Sequence, residues 1–250
     1  MSKRQDNLGQ PVGFPLPDWT PRPLPPRAPM VGRYCRVEPI DPARHAAELH
    51  DAYREDRAGR DWTYLGYGPF DSLAAWSAWM EKTCRGNDPL FHAVIDGETG
   101  RAVGMASYLR LDPGAGVIEV GHIHYAPRLQ RRTAATEAMY LMMRRVFDEL
   151  GYRRYEWKCD ALNAPSRRAA DRLGFSFEGL FRQATIYKGR NRDTAWYSII
   201  DRDWPALAAV YERWLAPANF DAAGRQRLHL SDLTRPAMAR SLSSPLAATT

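Results

Sequence analysis

Hydrophobic and polar residues recur with two different periods over residues 33–214, and these periods predict a succession of strands and helices. Alternation with period two is typical of strands, whereas apolar residues three and four apart are typical of helices that pack on one side. The strongest helical pattern spans Thr133–Leu150, with Leu141 and Val146 on its apolar face, and Gly151 supplies a stop.

The same reasoning over the whole chain predicts seven strands and five helices in the order βααβββαβαββα. The predicted strands are Arg33–Ile40, Leu90–Ile95, Ala102–Leu111, Val117–Tyr125, Arg154–Cys159, Phe175–Tyr187 and Thr194–Ile200. The predicted helices are Pro42–Arg54, Asp71–Cys84, Thr133–Leu150, Ala164–Leu173 and Trp204–Trp214. This order predicts the α/β class (α+β mixed), with one mixed sheet and helices on both of its faces.

The two ends of the chain differ from this central part. Residues 1–30 are rich in proline, which excludes a helix or a central strand, and Trp19 and Phe14 favour an arm that lies on the domain. Residues 216–250 are rich in Ala, Ser and Arg with little periodicity, so we expect a largely disordered basic tail. The predicted organisation is therefore an arm over 1–30, a domain over 31–215 and a tail over 216–250.

Charge is concentrated at these ends. Residues 1–30 and 216–250 each carry four basic and two acidic side chains, so the two segments hold two thirds of the net charge of +6. They are interpreted either as solvated tails or as segments with weak affinity for polyanions such as ribosomal RNA. Nothing in the sequence predicts specific DNA binding, and the sequence leaves the oligomeric state open.

Cysteine usage and hydropathy exclude several classes of protein. The three cysteines are widely spaced, which argues against a disulfide framework and a thiolate zinc site and fits a reducing cytoplasm. No run of 18 apolar residues predicts a membrane span, and the first residues lack the pattern of a secretory signal. We therefore expect a cytoplasmic protein that binds neither a metal nor a membrane.

A basic loop leads directly into the long predicted helix. The loop Gln130–Ala135 follows the strand that ends at Tyr125, and it contains Arg131 and Arg132. The first N–H groups of a helix have no partner within it and lie at the positive end of its dipole. Such a junction can bind a pyrophosphate, although most basic loops of this kind bind nothing.

A second motif surrounds the short predicted helix. Asn163 can cap it, Pro165 and Ser166 fall in its first turn, and Gly174 ends it. These residues are consistent with helix punctuation alone, and equally with a functional segment.

Together, in this order, three segments resemble the GNAT acyltransferase superfamily, within it the ribosomal-protein N-terminal acetyltransferase-like branch. The resemblance covers roughly residues 33–202. The three segments are Glu119-Val120-Gly121-His122, Gln130 through Ala138, and Asn163-x-x-Ser166 with Leu173-Gly174-Phe175 and Glu178-Gly179. It implies a mostly antiparallel sheet that splays between the fourth and fifth strands, where acetyl-coenzyme A (acetyl-CoA) binds as co-substrate. Its other partner is an amine acceptor, which attacks directly.

The resemblance also implies roles for particular residues. The expected acetyl-CoA contacts are the backbone of Ile123 and Tyr125, the loop residues Gln130, Arg131, Arg132, Thr133, Ala134 and Ala135, and Asn163 and Ser166. N–H groups near Ile123 and Tyr125 would stabilise the developing oxyanion, and Ser166 would meet the departing thiolate.

The candidate bases are Glu119, His122 and His124, with Glu119 favoured because it matches the family's acidic strand position. Strand alternation would place Glu119 and Gly121 on one face and His122 on the other. A strand histidine is also often a packed structural residue. Gly121 is the expected site of a β-bulge.

One position departs from the family pattern. Thr133 stands where the family's loop usually has glycine. If Thr133 has a negative φ, its N–H and hydroxyl can still face a phosphate. If the loop needs a positive φ there, coenzyme A binding would be weak or absent, because β-branched residues disfavour that region.

The acceptor is the least determined part of this interpretation. Trp62 and Tyr64 lie in an aromatic segment that either packs on the core or lines the acceptor cleft, together with the basic hairpin turn 188–193. The acceptor amine belongs to a protein N-terminus, with a ribosomal protein among the candidates, or to a small molecule. Two other functions remain open: a non-catalytic acyl-CoA-binding module, and an RNA- or ribosome-associated interaction protein.

Overall fold

The computed structural model describes residues 5–243, and this part contains eight strands and six α-helices. The strands are β1 (Met30–Val31), β2 (Cys35–Pro39), β3 (Leu90–Asp96), β4 (Ala102–Asp112), β5 (Val117–Tyr125), β6 (Arg154–Asp160), β7 (Ser176–Tyr187) and β8 (Arg190–Ile200). The helices are α1 (Pro42–Tyr53), α2 (Leu73–Thr83), α3 (Thr133–Arg144), α4 (Ala164–Leu173), α5 (Trp204–Leu215) and α6 (Leu230–Ser243). None of the helices in residues 5–243 combines the length and the hydropathy that a membrane span requires.

All eight strands form one sheet in the order β1-β2-β3-β4-β5-β6-β8-β7. β5 and β6 run parallel, while the other neighbouring pairs are antiparallel. Parallel neighbours need a long crossover, and α3 supplies it between β5 and β6. The predicted mixed α/β fold is thus confirmed, and the fourth and fifth predicted strands are β5 and β6.

Buried side chains form two clusters, one on each face of the sheet. Helices α3 to α6 cover the first face, where Val120 and Leu141 are buried. Helices α1 and α2 cover part of the second face, where Leu49 and Trp76 are buried. Because apolar burial is the main favourable term in folding, helices on both faces of the sheet explain why successive residues of β3 and β4 are buried on both sides of the strand.

Local sequence signals predicted the ends of most strands and helices to within a few residues. β5 and α4 have the predicted bounds, with Asn163 capping α4 and Gly174 ending it at φ 90°. The predicted helix over Thr133–Leu150 instead changes after Arg144 into a wider π-helical turn over Arg145–Glu149.

The proline-rich segment contacts the domain at several points. The indole Nε1 of Trp19 donates to the carbonyl oxygen of Gly114 at 2.7 Å, and the guanidinium of Arg22 lies 4.2 Å from the Trp19 ring. Further along, Arg145 donates to the carbonyl oxygens of Ala28 and Pro29.

The expectation of a largely disordered segment after residue 215 is wrong for its described part. Helix α6 packs against α4 and α5, burying Leu230 and Met238, and the Thr234 hydroxyl donates to the Arg172 carbonyl at 3.1 Å. Packing against neighbouring helices stabilises a segment whose own helical signal is weak. Residues 244–250 lie outside the described residues.

Candidate active site

The sheet opens into a wedge where β5 and β6 part. The two strands pair from Val117–Arg154 to Val120–Trp157 and no further. Beyond that point β5 remains paired only with β4, and β6 only with β8. The resulting gap exposes strand backbone at the carboxyl ends of two parallel strands.

A β-bulge lies immediately after Gly121. Met105 pairs with His124 and Ser107 with Gly121, so His122 and Ile123 together oppose a single residue of β4. His122 adopts the left-handed region with φ 50°, whereas the sequence suggested the glycine before it as the bulge position.

The bulge changes the face that His122 occupies. Its ring lies 4.8 Å from Phe91 and 5.6 Å from Tyr67, on the side of α1 and α2, while Ile123 packs toward the opposite core. The prediction that strand alternation places His122 opposite Glu119 is therefore wrong. The extra residue in β5 brings Glu119, His122 and His124 to one face.

The two histidines have different surroundings on that face. His124 is buried, with its ring 3.9 Å from Tyr53 and 4.0 Å from Trp62, and burial lowers its pKa to about 3. His122 is half-buried, and burial, with a smaller effect of the Arg110 charge, lowers its pKa to about 4. Both imidazoles are therefore neutral near pH 7, and His122 is the one with solvent access.

Glu119 is enclosed by cations. Its Oε1 lies 2.6 Å from Nη1 of Arg110, and its Oε2 lies 2.9 Å from Nζ of Lys158. Lys158 also contacts Oε2 of Glu156 at 2.7 Å and lies over the ring of Trp196 at 3.8 Å. Both oxygens of the Glu119 carboxylate are thus engaged in ion pairs.

The N-terminus of α3 lies directly after β5. Arg132 is the N-cap residue but makes no side-chain cap, so the N–H groups of Thr133, Ala134 and Ala135 lack partners within the helix. The first turn contains no acidic residue, and Arg131 and Arg132 are exposed beside it. These groups fit a pyrophosphate in both charge and donor direction.

The backbone of the loop resolves the question raised by Thr133. Thr133 begins α3 with a helical, negative φ, and the left-handed residue of the loop is Arg131 at φ 62°. A β-branched residue therefore stands at position 133 without strain.

Two other side chains of this region have structural partners. The Arg128 guanidinium, which precedes the loop, pairs with Glu55 at 2.7 Å. The side-chain amide of Gln130 donates to the Tyr125 carbonyl at 2.8 Å and to Oδ2 of Asp61 at 2.7 Å.

The end of β5 presents a backbone donor to the wedge. The N–H of Ala126 donates to the carbonyl of Val103 at 3.0 Å, which makes Tyr125–Gly104 a pair without mutual hydrogen bonds. The N–H of Tyr125 consequently faces away from β4, toward the side where β6 has parted.

Across the wedge, α4 starts with a tightly bonded turn. Oδ1 of Asn163 accepts the N–H of Ser166 at 3.1 Å, and the Ser166 hydroxyl accepts the indole N–H of Trp157 at 3.0 Å. The hydroxyl oxygen is the acceptor in that bond, and the same hydroxyl also has the buried Cys159 sulfur as a hydrogen-bond partner.

The segment 59–68, here called the strap, connects both sides of the wedge. Oδ2 of Asp61 accepts from Gln130 on the β5 side, as noted above. On the β6 side, the Tyr64 hydroxyl donates to the Leu162 carbonyl at 3.2 Å, and Nζ of Lys188 donates to the Trp62 carbonyl at 2.7 Å. Trp62 itself is buried in the core of α1 and α2, which anchors the strap.

Comparison with known proteins identifies the family. A family model described as Acetyltransferase (GNAT) domain matches residues 36–176, more than half of the chain. The chain belongs to the GNAT acetyltransferase family. It is accordingly an acyltransferase, and the GNAT family uses acetyl-CoA.

Solved GNAT structures agree with this assignment. A GCN5-related N-acetyltransferase from Brucella melitensis is 50% identical with a TM-score of 0.86, covering 88% of this chain and 100% of that one. A probable GNAT-family acetyltransferase from Chromobacterium violaceum ATCC 12472 is 38% identical with a TM-score of 0.73, covering 79% and 98%.

A more distant structure shares the fold alone. The Microcin C7 self immunity acetyltransferase MccE, in complex with acetyl-CoA and AMP, is 19% identical with a TM-score of 0.61, covering 71% and 98%. No curated protein matches the sequence.

Within this GNAT domain, most of the predicted site residues fall into three groups around the wedge, while Trp62 and Tyr64 lie on the strap and Glu119 is held by Arg110 and Lys158. The bulge carries His122, the α3 N-terminus carries the loop residues, and the α4 turn carries Asn163 and Ser166. Sequence reasoning missed Trp157, Asp61 and Lys158. Their partners Ser166, Gln130 and Glu119 lie on other elements of the fold, so no local pattern joins them. In residues 5–243 no group of three or more His, Cys, Asp or Glu side chains is placed to hold a metal ion.

Proposed function

We propose that this GNAT protein transfers the acetyl group of acetyl-CoA to a primary amine in the cytoplasm, by direct attack in a ternary complex. The acceptor is a protein N-terminus, ribosomal proteins included, or a small molecule. One observation carries the proposal: the parting of β5 and β6 lies between a helix N-terminus with free N–H groups and a bulge that presents a neutral imidazole.

The proposed acetyl-CoA contacts lie on both sides of the wedge. The N–H groups of Thr133, Ala134 and Ala135 bind the pyrophosphate, with Arg131 and Arg132 adding positive charge. The N–H groups of Ile123 and Tyr125 face the thioester carbonyl, and the side-chain amide of Asn163 meets the pantetheine arm.

His122 is the proposed base, in preference to Glu119. An acceptor amine must lose a proton as it attacks, and a neutral imidazole can take it directly or through water. Its lowered pKa keeps His122 in the accepting form above about pH 5, because the proton leaves near pH 4. Glu119, between Arg110 and Lys158, instead stabilises the floor of the cleft.

Ser166 is the proposed partner of the leaving sulfur. As the bond between the acetyl carbon and sulfur breaks, the sulfur gains negative charge, and the hydrogen of the Ser166 hydroxyl can bond to it. Trp157 holds the hydroxyl oxygen in place, and the hydrogen turns from its partner in the free protein, the Cys159 sulfur, toward the leaving group.

The test is an acceptor screen that follows release of the coenzyme A thiol. Purified protein is incubated with acetyl-CoA and with peptide N-termini, amino acids or small amines, and mass spectrometry looks for a gain of one acetyl group on the acceptor. Thiol release that requires the acceptor, with matching acetylation, supports the proposal. Coenzyme A binding without acetylation of any acceptor would favour a non-catalytic binding module.

A further inference from the structure

The hairpin of β7 and β8 forms one wall beside the strap. Its two-residue turn consists of Lys188 and Gly189, both in the left-handed region with φ 48° and 69°. This turn carries the Lys188 side chain across to the strap, where Nζ donates to the Trp62 carbonyl. The rings of Trp62 and Tyr67 in turn contact His124 and His122, so Lys188 bonds to the same strap that packs against the candidate base.

The ammonium group of Lys188 is paired with a neutral carbonyl, although an ammonium group interacts more strongly with an anion. Among the described residues, no carboxylate lies within ion-pair distance of its Nζ, and its one hydrogen bond there is to a carbonyl. An ammonium has three donors, so two remain available. The strap is anchored by the buried Trp62, whereas the long lysine side chain can move alone.

Arg192, on β8 of the same hairpin, supplies a second and independent observation. Its Nε is buried yet has no hydrogen-bond partner, and in the described part of the chain no carboxylate forms an ion pair with it. Its guanidinium lies 5.7 Å from the centre of the Tyr187 ring. A buried donor of a charged group without a partner is costly unless a ligand supplies one.

The nearby carboxylates already have partners. Asp160 accepts the Leu162 N–H and the Tyr187 hydroxyl, both at 2.8 Å. Asp193 accepts the Gln183 N–H at 2.7 Å and the Asn191 side-chain amide at 3.0 Å. The hairpin therefore presents two cations to the cleft without dedicated counter-ions.

We propose that Lys188 and Arg192 bind a carboxylate that the acceptor carries close to its reacting amine. Such a site selects amino acids and similar zwitterions over plain amines. The inference rests on the proposed function, which defines where the reacting amine lies. On binding, the carboxylate replaces the Trp62 carbonyl as partner of Lys188 and pairs with the guanidinium of Arg192.

The experiment measures binding rather than turnover, so it does not depend on the acceptor screen. N-acetylglycine and its neutral amide are titrated into the protein at saturating coenzyme A, and calorimetry compares the two product-like probes. We expect the carboxylate to bind about 10- to 100-fold more tightly, the range of charge-assisted hydrogen bonds. Lys188→Met and Arg192→Met should each remove most of that difference, while coenzyme A affinity stays unchanged.

Arg190→Met is the matched control, because Arg190 is a basic, exposed residue of the same hairpin. It should leave the preference intact. Equal affinity for the two probes, or binding of neither, would overturn the proposal. A loss of coenzyme A affinity in Lys188→Met or Arg192→Met would assign these cations to the co-substrate and likewise refute it.

Discussion

The indole N–H of Trp157 donates to the hydroxyl oxygen of Ser166 across 3.0 Å, joining β6 to the first turn of α4. Trp157 is buried, with 5% of its surface exposed, so its N–H needs this partner. The same hydroxyl also has the Cys159 sulfur as a hydrogen-bond partner, so its hydrogen would turn from Cys159 to meet a leaving sulfur in the wedge. One contact thus has two consequences, for stability and for chemistry, and substitutions can separate them.

Ser166→Ala should lower both turnover and stability. The buried Trp157 N–H would lose its acceptor, which costs about 1–3 kcal/mol in the free energy of unfolding. If the hydroxyl meets the leaving sulfur, kcat should fall with little change in coenzyme A affinity. Melting temperature, calorimetry and turnover on the same preparation measure the three quantities.

Trp157→Phe is the control for this prediction. It removes the donor and keeps the hydroxyl, so it should share the loss of stability but retain most of the turnover. Wild-type turnover in Ser166→Ala would exclude the hydroxyl from the chemistry.

Ala135→Asp should abolish or strongly weaken coenzyme A binding without loss of stability. An acidic residue in the first turn of a helix favours the helix dipole, yet here its carboxylate would face the pyrophosphate. Ala206→Asp, in the first turn of α5 and exposed, places the same change away from the wedge and should leave affinity unchanged. Equal affinities of both variants, measured by calorimetry, would remove the phosphate site from α3.

His122→Gln and Glu119→Gln should affect different quantities. Glutamine cannot take a proton from the acceptor, so His122→Gln should lower kcat about 100-fold or more while the protein stays folded. Glu119→Gln leaves Lys158 and Arg110 with a neutral partner and should reduce the free energy of unfolding by about 1–3 kcal/mol. A larger kcat loss in a still-folded Glu119→Gln variant would reverse the two roles.

The buried histidines should make the protein less stable in acid. His124 has a pKa of about 3 in the folded protein against about 6.5 when unfolded, so the unfolded chain binds its proton first as pH falls. The free energy of unfolding should therefore decline from about pH 6.5 downward, with His124 contributing up to about 1.4 kcal/mol per pH unit.

His124→Phe preserves a ring between Tyr53 and Trp62 and should reduce that slope. Urea denaturation at several pH values between 4.5 and 7 measures it. Trp62→Phe, in the same aromatic cluster, should lower stability at each pH without changing the slope. An unaltered slope in His124→Phe would show that other groups cause the acid sensitivity.

The sequence by itself determined the order of elements and the ends of several of them. Asn163 and Gly174 act on the backbone within a few residues of themselves, so helix α4 could be predicted to the residue. The loop-to-helix junction at Thr133 could be predicted for the same reason, because helix N-termini are recognised from local composition. Helix α6 was missed since its stability comes from packing on α4 and α5 rather than from its own pattern.

Only the tertiary structure decided how the candidate site is arranged. Strand alternation assumes regular pairing, and the extra residue that β5 inserts against β4 turned His122 to the face of Glu119. The contacts of Ser166 with Trp157 and of Lys188 with the Trp62 carbonyl join distant parts of the chain. Such contacts depend on which side chains the folded sheet buries together, and the hydrophobic pattern of a single strand or helix does not contain that information.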